Sequence, residues 1–415
     1  MARIAFPEHG TDADELTRQM ADRTDGDIDW RNGRTPLYVF KGSESAAAVG
    51  KAAFMQFFTE NALGGKRAFH SIGSMERDVI DMGLDLFHAP DGADGHMTTG
   101  GSESIFMAVK AARDTHRVRG SRVGTQLNMV LPESAHPAFD KAARSMEIEV
   151  RRVPLQDSLR ADPEQMAAAA DRQTMMMIAS APCFPFGVID PVAAISEVAV
   201  GLDIWLHVDA CVGGYLIPFA KEAGEDLPAF DFEVPGVRSI SADLHKYGFC
   251  PKPASTLFFR DAGDMARGAF DLDVWANGRF VTQTIAGTRP GGAVAGAWAV
   301  LNHLGRQGYR DIARDLMANA RAYRQGIEAL QGYHMFAEPD LTILSFGARD
   351  LDIFAVADRL AEDGWLPGRT QDPRGMHLML SMFHAPARDA YLADLARATE
   401  AVRRDGGSST SKAVY

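Results

Sequence analysis

Cysteine is scarce: only Cys183, Cys211 and Cys250 occur in 415 residues. Three is an odd number, and their spacing matches no metal-ligand pattern. This excludes a disulfide framework and a zinc ribbon, and it fits a reduced, cytoplasmic setting. Cys211 and Cys250 read as small buried hydrophobes rather than catalytic thiols. Basic charge is also in deficit, with 43 Lys and Arg against 55 Asp and Glu and a formal net charge of −12. A nucleic-acid partner or an anionic membrane surface would demand a basic face, so both are excluded. No apolar run approaches the roughly 20 residues of a membrane span. The opening Met1–Glu8 has no apolar core of signal-peptide length. Internal repeats are lacking. The low-complexity stretch Gly406–Lys412 makes residues 406–415 an expected disordered tail.

What is present is ordinary for a globular enzyme: 46% apolar and 24% charged residues, in a chain long enough for two or three lobes. Residues 1–69 read as an amino-terminal arm with helices near Asp12–Met20 and Ala46–Phe58. Residues 70–295 alternate short apolar strands (Leu127–Leu131, Glu149–Val153, Met175–Ser180, Ile204–Val208, Ser255–Phe259) with helical stretches. That alternation predicts a mostly parallel sheet covered on both faces, an α/β domain. From residue 296 to 405 the pattern changes to a long helix, the run Leu341–Phe346, a helix near 352–363, a strand at His377–Met382 and a final helix near 388–403, which reads as a small α+β domain.

The chemistry gathers at strand ends. Asp209 closes the apolar run Ile204–Asp209, and Lys246 follows the short run Val237–Ala242. Open α/β sheets bind ligands at the carboxyl ends of their strands. A lysine there can form a Schiff base with an aldehyde, and an aspartate can pair with a pyridinium nitrogen, which is what pyridoxal 5′-phosphate requires. Thr98–Ile105, with Gly100, Gly101 and Ser102, is a glycine turn opening a helix, suited to a phosphate, with Ser102 as a helix cap. His136 sits on a strand-to-helix turn, from which an imidazole can lie on a pyridine ring. The loop Ala181–Pro191 is rigid enough to wall a site or to be a plain turn. Gly287 and Thr288 lie in a second glycine-rich loop, and Arg289 is either an anion ligand or a structural ion-pair residue.

The phrases His207–Gly214, Ser239–Gly248 and Ala286–Gly292 resemble the fold-type I pyridoxal phosphate enzymes, in the group II decarboxylase-like branch that includes the sphingosine-1-phosphate lyases. The resemblance spans roughly residues 70–385 and marks a soluble prokaryotic-type member without a membrane anchor. It implies a seven-stranded-type central sheet, Lys246 as the Schiff-base residue, Asp209 on the ring nitrogen and His136 on the ring. Gly101, Ser102 and His245 would hold the cofactor phosphate. Gly287 and Thr288 would reach it from the second subunit of a homodimer. Tyr38 and Lys252 would contact a substrate phosphate. No metal is implied.

One departure concerns the substrate. Where the family carries a phosphate-gripping histidine, this chain has Gly64, with Lys66, Arg67 and His70 nearby as replacements. The implied activity is retro-aldol cleavage of a phosphorylated long-chain base in sphingolipid metabolism, and the alternative is an L-amino-acid α-decarboxylase. Lys246, Tyr247 and His136 stand as candidate acid and base groups. A non-catalytic dimeric scaffold is the reading from another class, and it predicts decay of the Lys246, Asp209 and His136 set, all of which remain.

Overall fold

The apolar runs of the middle segment become neighbours in one sheet. In the computed structural model, which describes residues 3–118 and 124–414, seven strands form it: β1 (Asp94–Thr98), β2 (Asn128–Pro132), β3 (Glu149–Val153), β4 (Thr174–Ser180), β5 (Trp205–Asp209), β6 (Val237–Ala242) and β7 (Ser255–Phe259). Their order is β1-β7-β6-β5-β4-β2-β3. β3, β2, β4, β5 and β6 pair in parallel, and β7 runs antiparallel between β6 and β1. β1, Asp-Gly-His-Met-Thr, has no apolar run of its own, and its pairing with β7 makes it a strand.

Successive strand residues face opposite sides. Met129, Met176, Ile178 and Leu257 pack with the helix Gly101–Val118 and with Phe139. Val130, Met177, Val208 and Ile240 pack on the other side with Ile72, Val79 and Ile80 of the helix His70–Leu86. Helices on both faces account for the buried, non-alternating strands β2, β4, β5 and β7. This is the α/β architecture expected.

The helix Gly291–Glu328 leaves this layer and breaks at Gly305, whose backbone (φ 55°, ψ 179°) is not helical. It leads to an antiparallel four-stranded sheet, ordered Tyr333–Met335, Ile343–Ala348, Gly375–Met379, Gly368–Thr370. The helices Ile353–Glu362 and Arg388–Asp405 cover it, over a separate core around Phe346, Phe354 and Leu395. The strand expected at His377–Met382 starts and stops earlier, and Met382–His384 is a 3₁₀ turn.

The tail corrects an expectation. Residues 406–414 do not hang free. Asp352, which caps its own helix through Phe354 N, also accepts from Ser409 N at 2.8 Å, and Ser411 Oγ donates to Asp358 at 3.1 Å. Short polar residues thus find fixed acceptors on the small domain. The arm is also tied down: Leu366 N donates to Arg34 O (2.9 Å), Met379 N to Pro36 O (2.8 Å), and His384 Nε2 bonds Thr35 O (3.0 Å). Among the described residues no helix is long and apolar enough to cross a membrane.

Candidate active site

A cavity of about 410 Å³ opens at the carboxyl ends of the central strands. Its floor is Lys246. The turn after β6 brings Lys246 Nζ to 3.0 Å from Asp243 Oδ2. Burial works against the ammonium, but the Asp243 charge outweighs it and raises the lysine above its ordinary range. In return Lys246 and His245 overcome the burial of Asp243 and hold its carboxyl below the usual carboxylate value. The second oxygen of Asp243 is buried without a hydrogen-bond partner among the described residues.

Asp209, at the end of β5, accepts from Cys211 N at 3.1 Å and from Ser241 Oγ at 3.4 Å. His136 lines the same cavity. Its Nδ1 accepts from Ala138 N at 3.1 Å. An Nδ1 that accepts carries no proton, which puts the ring proton on Nε2; burial pushes the pKa down against the pull of Asp209. His245 Nδ1 donates to Ala254 O at 2.6 Å. Pro182 and Phe184 form part of the wall, as the reading of their loop as a wall had it.

Gly101 and Ser102 line the opposite side, where the helix Gly101–Val118 begins. A side chain at Gly101 has no room: a Cβ there would lie 2.8 Å from Cys211 Sγ and 2.9 Å from Asp243 Oδ1. Ser102 is not the cap. The helix starts one residue earlier, and Glu103 reaches back to Thr99 N (2.7 Å) and Thr99 Oγ1 (2.8 Å) while also accepting from Ala286 N (2.8 Å). Ser102 is left to face the cavity.

Lys246, Asp209, His136, His245, Gly101 and Ser102 therefore meet at one cavity. The other expected residues do not line it. Tyr247 is fully buried, its hydroxyl donating to Leu380 O (2.7 Å) and lying 2.5 Å from Thr342 Oγ1. This ties it to the small domain and removes it as an acid or base. Lys66, Arg67 and His70 are exposed at and before the start of the helix His70–Leu86. Lys252 Nζ donates to Tyr38 O at 2.6 Å; Tyr38 has φ 65°, a conformation a bulky residue holds only when fixed from outside. Thr288 Oγ1 accepts from Asn61 Nδ2 at 3.3 Å, and a Cβ on Gly287 would meet nothing within 4 Å. Arg289 is the ion-pair residue, bidentate on Glu76 and bonded to Met97 O.

Two participants escaped sequence reading. Asp243 and Glu103 were not singled out in the sequence. The signal for Asp243 was its place three residues before Lys246, one turn away.

These residues fit pyridoxal 5′-phosphate: an amine at the floor for the aldehyde, a carboxylate at a strand end for the ring nitrogen, and a helix start with a close-packed glycine for the phosphate. Comparison with known proteins agrees. The pyridoxal-dependent decarboxylase conserved domain matches residues 70–349. The sphingosine-1-phosphate lyase of Arabidopsis thaliana is 38% identical over 82% of this chain, which spans 63% of that protein's length. A probable L-tyrosine/L-aspartate decarboxylase of Methanocella arvoryzae is 38% identical over 82% of this chain and 87% of its own. The structure of the Burkholderia pseudomallei sphingosine-1-phosphate lyase superimposes with a TM-score of 0.91 at 33% identity, covering 98% of this chain and 94% of that one. The chain belongs to the pyridoxal-dependent decarboxylase family, on the sphingosine-1-phosphate lyase branch, with pyridoxal 5′-phosphate as its cofactor.

Proposed function

We propose that the protein is a carbon–carbon lyase that cleaves a phosphorylated long-chain base, of the sphingosine 1-phosphate kind, to a fatty aldehyde and phosphoethanolamine. The observation that carries this is the match to the Burkholderia lyase over nearly the whole of both chains, together with the shared cavity of Lys246, Asp209 and His136. In this reading Lys246, Asp209, His136, His245, Gly101 and Ser102 hold the cofactor as their positions suggest. Bound pyridoxal phosphate supplies the electron sink for negative charge at the substrate carbon. His136, with Nδ1 occupied by Ala138 N–H, can donate from Nε2 but cannot take up the substrate hydroxyl proton. Of the three candidates Lys246 Nζ remains: in its neutral form it would take up that proton, and Asp243, at 3.0 Å, would stabilise the charge it gains. Loss of the hydroxyl proton pushes its electron pair into a carbonyl as the neighbouring carbon–carbon bond breaks, and the carbon left behind is reprotonated.

Tyr38 and Lys252 would take the substrate phosphate, with Lys66, Arg67 or His70 standing in for a histidine at Gly64. A homodimer completes the site by bringing Gly287 and Thr288 to the cofactor phosphate of the other subunit. The exposed apolar hairpin that precedes this loop, with Phe270 48%, Trp275 52% and Val281 46% accessible, is the surface a second subunit would cover. The division into an arm (1–69), a large domain (70–295), a small domain (296–405) and a tail (406–415), and a cytoplasmic location, belong to the same proposal.

The test is to incubate the holoenzyme with sphingosine 1-phosphate and with a panel of L-amino acids, reading products by mass spectrometry. A long-chain aldehyde with phosphoethanolamine is expected. Carbon dioxide from an amino acid without aldehyde would replace the lyase reading with the decarboxylase one.

A further inference from the structure

Beneath Asp209 runs a line of buried polar side chains that the reaction itself does not use. Strand periodicity puts Trp205, His207 and Asp209 on one face of β5, and Ser239 and Ser241 on the same face of β6. All five are buried in a sheet whose other residues are mostly apolar. Trp205 Nε1 lies 2.8 Å from Ser239 Oγ, which lies 2.8 Å from His207 Nδ1. His207 Nε2 is 3.2 Å from Ser241 Oγ, which reaches Asp209 Oδ1 at 3.4 Å.

The direction of every bond follows from the two ends. An indole N–H can only donate, and an ionised carboxylate can only accept. Asp209 accepts from Ser241, so Ser241 spends its hydrogen there and His207 Nε2 must donate to Ser241. In a neutral ring Nδ1 then carries no proton and accepts from Ser239, which in turn accepts from Trp205 Nε1. Burial, against the pull of Asp209, lowers the His207 pKa to about 4, in keeping with the neutral ring this assignment needs. Each hydroxyl and each ring nitrogen finds a partner, and the dipoles all point toward the Asp209 carboxylate.

We propose that His207, through Ser241, is a positioning residue that holds the Asp209 carboxylate in place at the cavity, and that Ser239, bonded to Trp205, supports the histidine tautomer that makes this possible. The inference rests on the reading that Asp209 faces the cofactor ring nitrogen. A one-way donor line strengthens the negative charge at its end, because the low dielectric of the interior leaves each dipole largely unscreened. An ionised Asp209 is the state that keeps a pyridinium protonated.

The test uses Ser241→Ala, which removes the last link and little volume, and Ser239→Ala, which frees the tautomer but leaves the last link in place. Holoenzyme is loaded with pyridoxal phosphate labelled with ¹⁵N in the ring, and the nitrogen resonance is followed with pH. In wild type it should remain that of a pyridinium through neutral pH. In Ser241→Ala the resonance should lose its proton at lower pH, and kcat should fall about tenfold, equivalent to about 1.4 kcal/mol at the barrier, with cofactor content and KM nearly unchanged. Ser239→Ala should move both in the same direction by less. A wild-type resonance and pH response in Ser241→Ala, with cofactor still bound, would overturn the relay. Asp209→Asn serves as the reference: if it too leaves the resonance unchanged, the fault lies with the assignment of Asp209 and not with the relay alone.

Discussion

The two halves of the site are built differently. The cofactor half stands on strand ends and the first turn of a helix, and its groups are buried and held by neighbours: Asp209 by Cys211 N and Ser241, Lys246 by Asp243, His136 by Ala138 N. The half assigned to the substrate phosphate stands on the arm and on loops. Lys66, Arg67 and His70 are exposed, and Lys252 is engaged with the backbone of Tyr38. A group fixed by a sheet keeps its place with or without ligand. A group on an arm is placed by whatever the arm rests on. Substitutions in the first half should therefore damage chemistry, and those in the second should tune selectivity.

The largest effect is expected at Lys246→Ala. Activity should fall by roughly 10⁴-fold or more, equivalent to about 5.5 kcal/mol at the barrier, and borohydride reduction should no longer leave a pyridoxyl group on the peptide around residue 246. A labelled adduct on another lysine would break the comparison at its base. Asp209→Asn comes next, with a loss of roughly 10²-fold, about 3 kcal/mol, while cofactor content measured by absorbance stays near wild type. Lys252→Ala should lower kcat/KM for phosphorylated long-chain bases by about 10- to 150-fold, the cost of a charge-assisted contact of roughly 1.5–3 kcal/mol. An equal loss on a substrate lacking the phosphate would return Lys252 to a purely structural role at Tyr38. The smallest effects belong to Lys66→Ala and Arg67→Ala: three exposed groups that share one phosphate can cover for each other, so each single change should lower kcat/KM by only about two- to fivefold. A large loss at either would show that the arm closes on the substrate.

A pH experiment sharpens the contrast within the cofactor half. Asp243 raises the Lys246 pKa, so at neutral pH the amine is mostly charged and unreactive toward an aldehyde. Removing the anion lowers that pKa and enlarges the neutral fraction. Asp243→Asn apoprotein should thus load pyridoxal phosphate faster than wild type at neutral pH, and the pH dependence of loading, followed by absorbance, should shift to lower pH. A slower or unshifted profile would mean that Asp243 does not control the lysine.

What was legible in the sequence follows the same division. β2, β4, β5 and β7 each contain an apolar run, and Asp209 and Lys246 are tied to strands, so their arrival at one edge could be read in advance. β1 could not, because its pairing with β7 rather than its own composition makes it a strand. Tyr247, adjacent to Lys246, looked like part of the site, but the turn carries successive side chains in different directions and its hydroxyl ends on Leu380 O. The docking of residues 409–413 depends on Asp352, Asp358 and Gln371, acceptors too far along the chain to be recognised from a Gly-Ser-Thr run.

The three bonds from residues 34–36 to Leu366, Met379 and His384 stitch the arm to the small domain. Only one residue separates Pro36 from Leu37's neighbour Tyr38, and Lys252 grips that tyrosine from the large-domain side. The stitched strip is therefore a drawbar between the two domains. The Tyr247 hydroxyl on Thr342 and Leu380 is a second tie, placed beside Lys246, so a rotation of the 333–379 sheet would load the Tyr38–Lys252 contact and the cavity floor together.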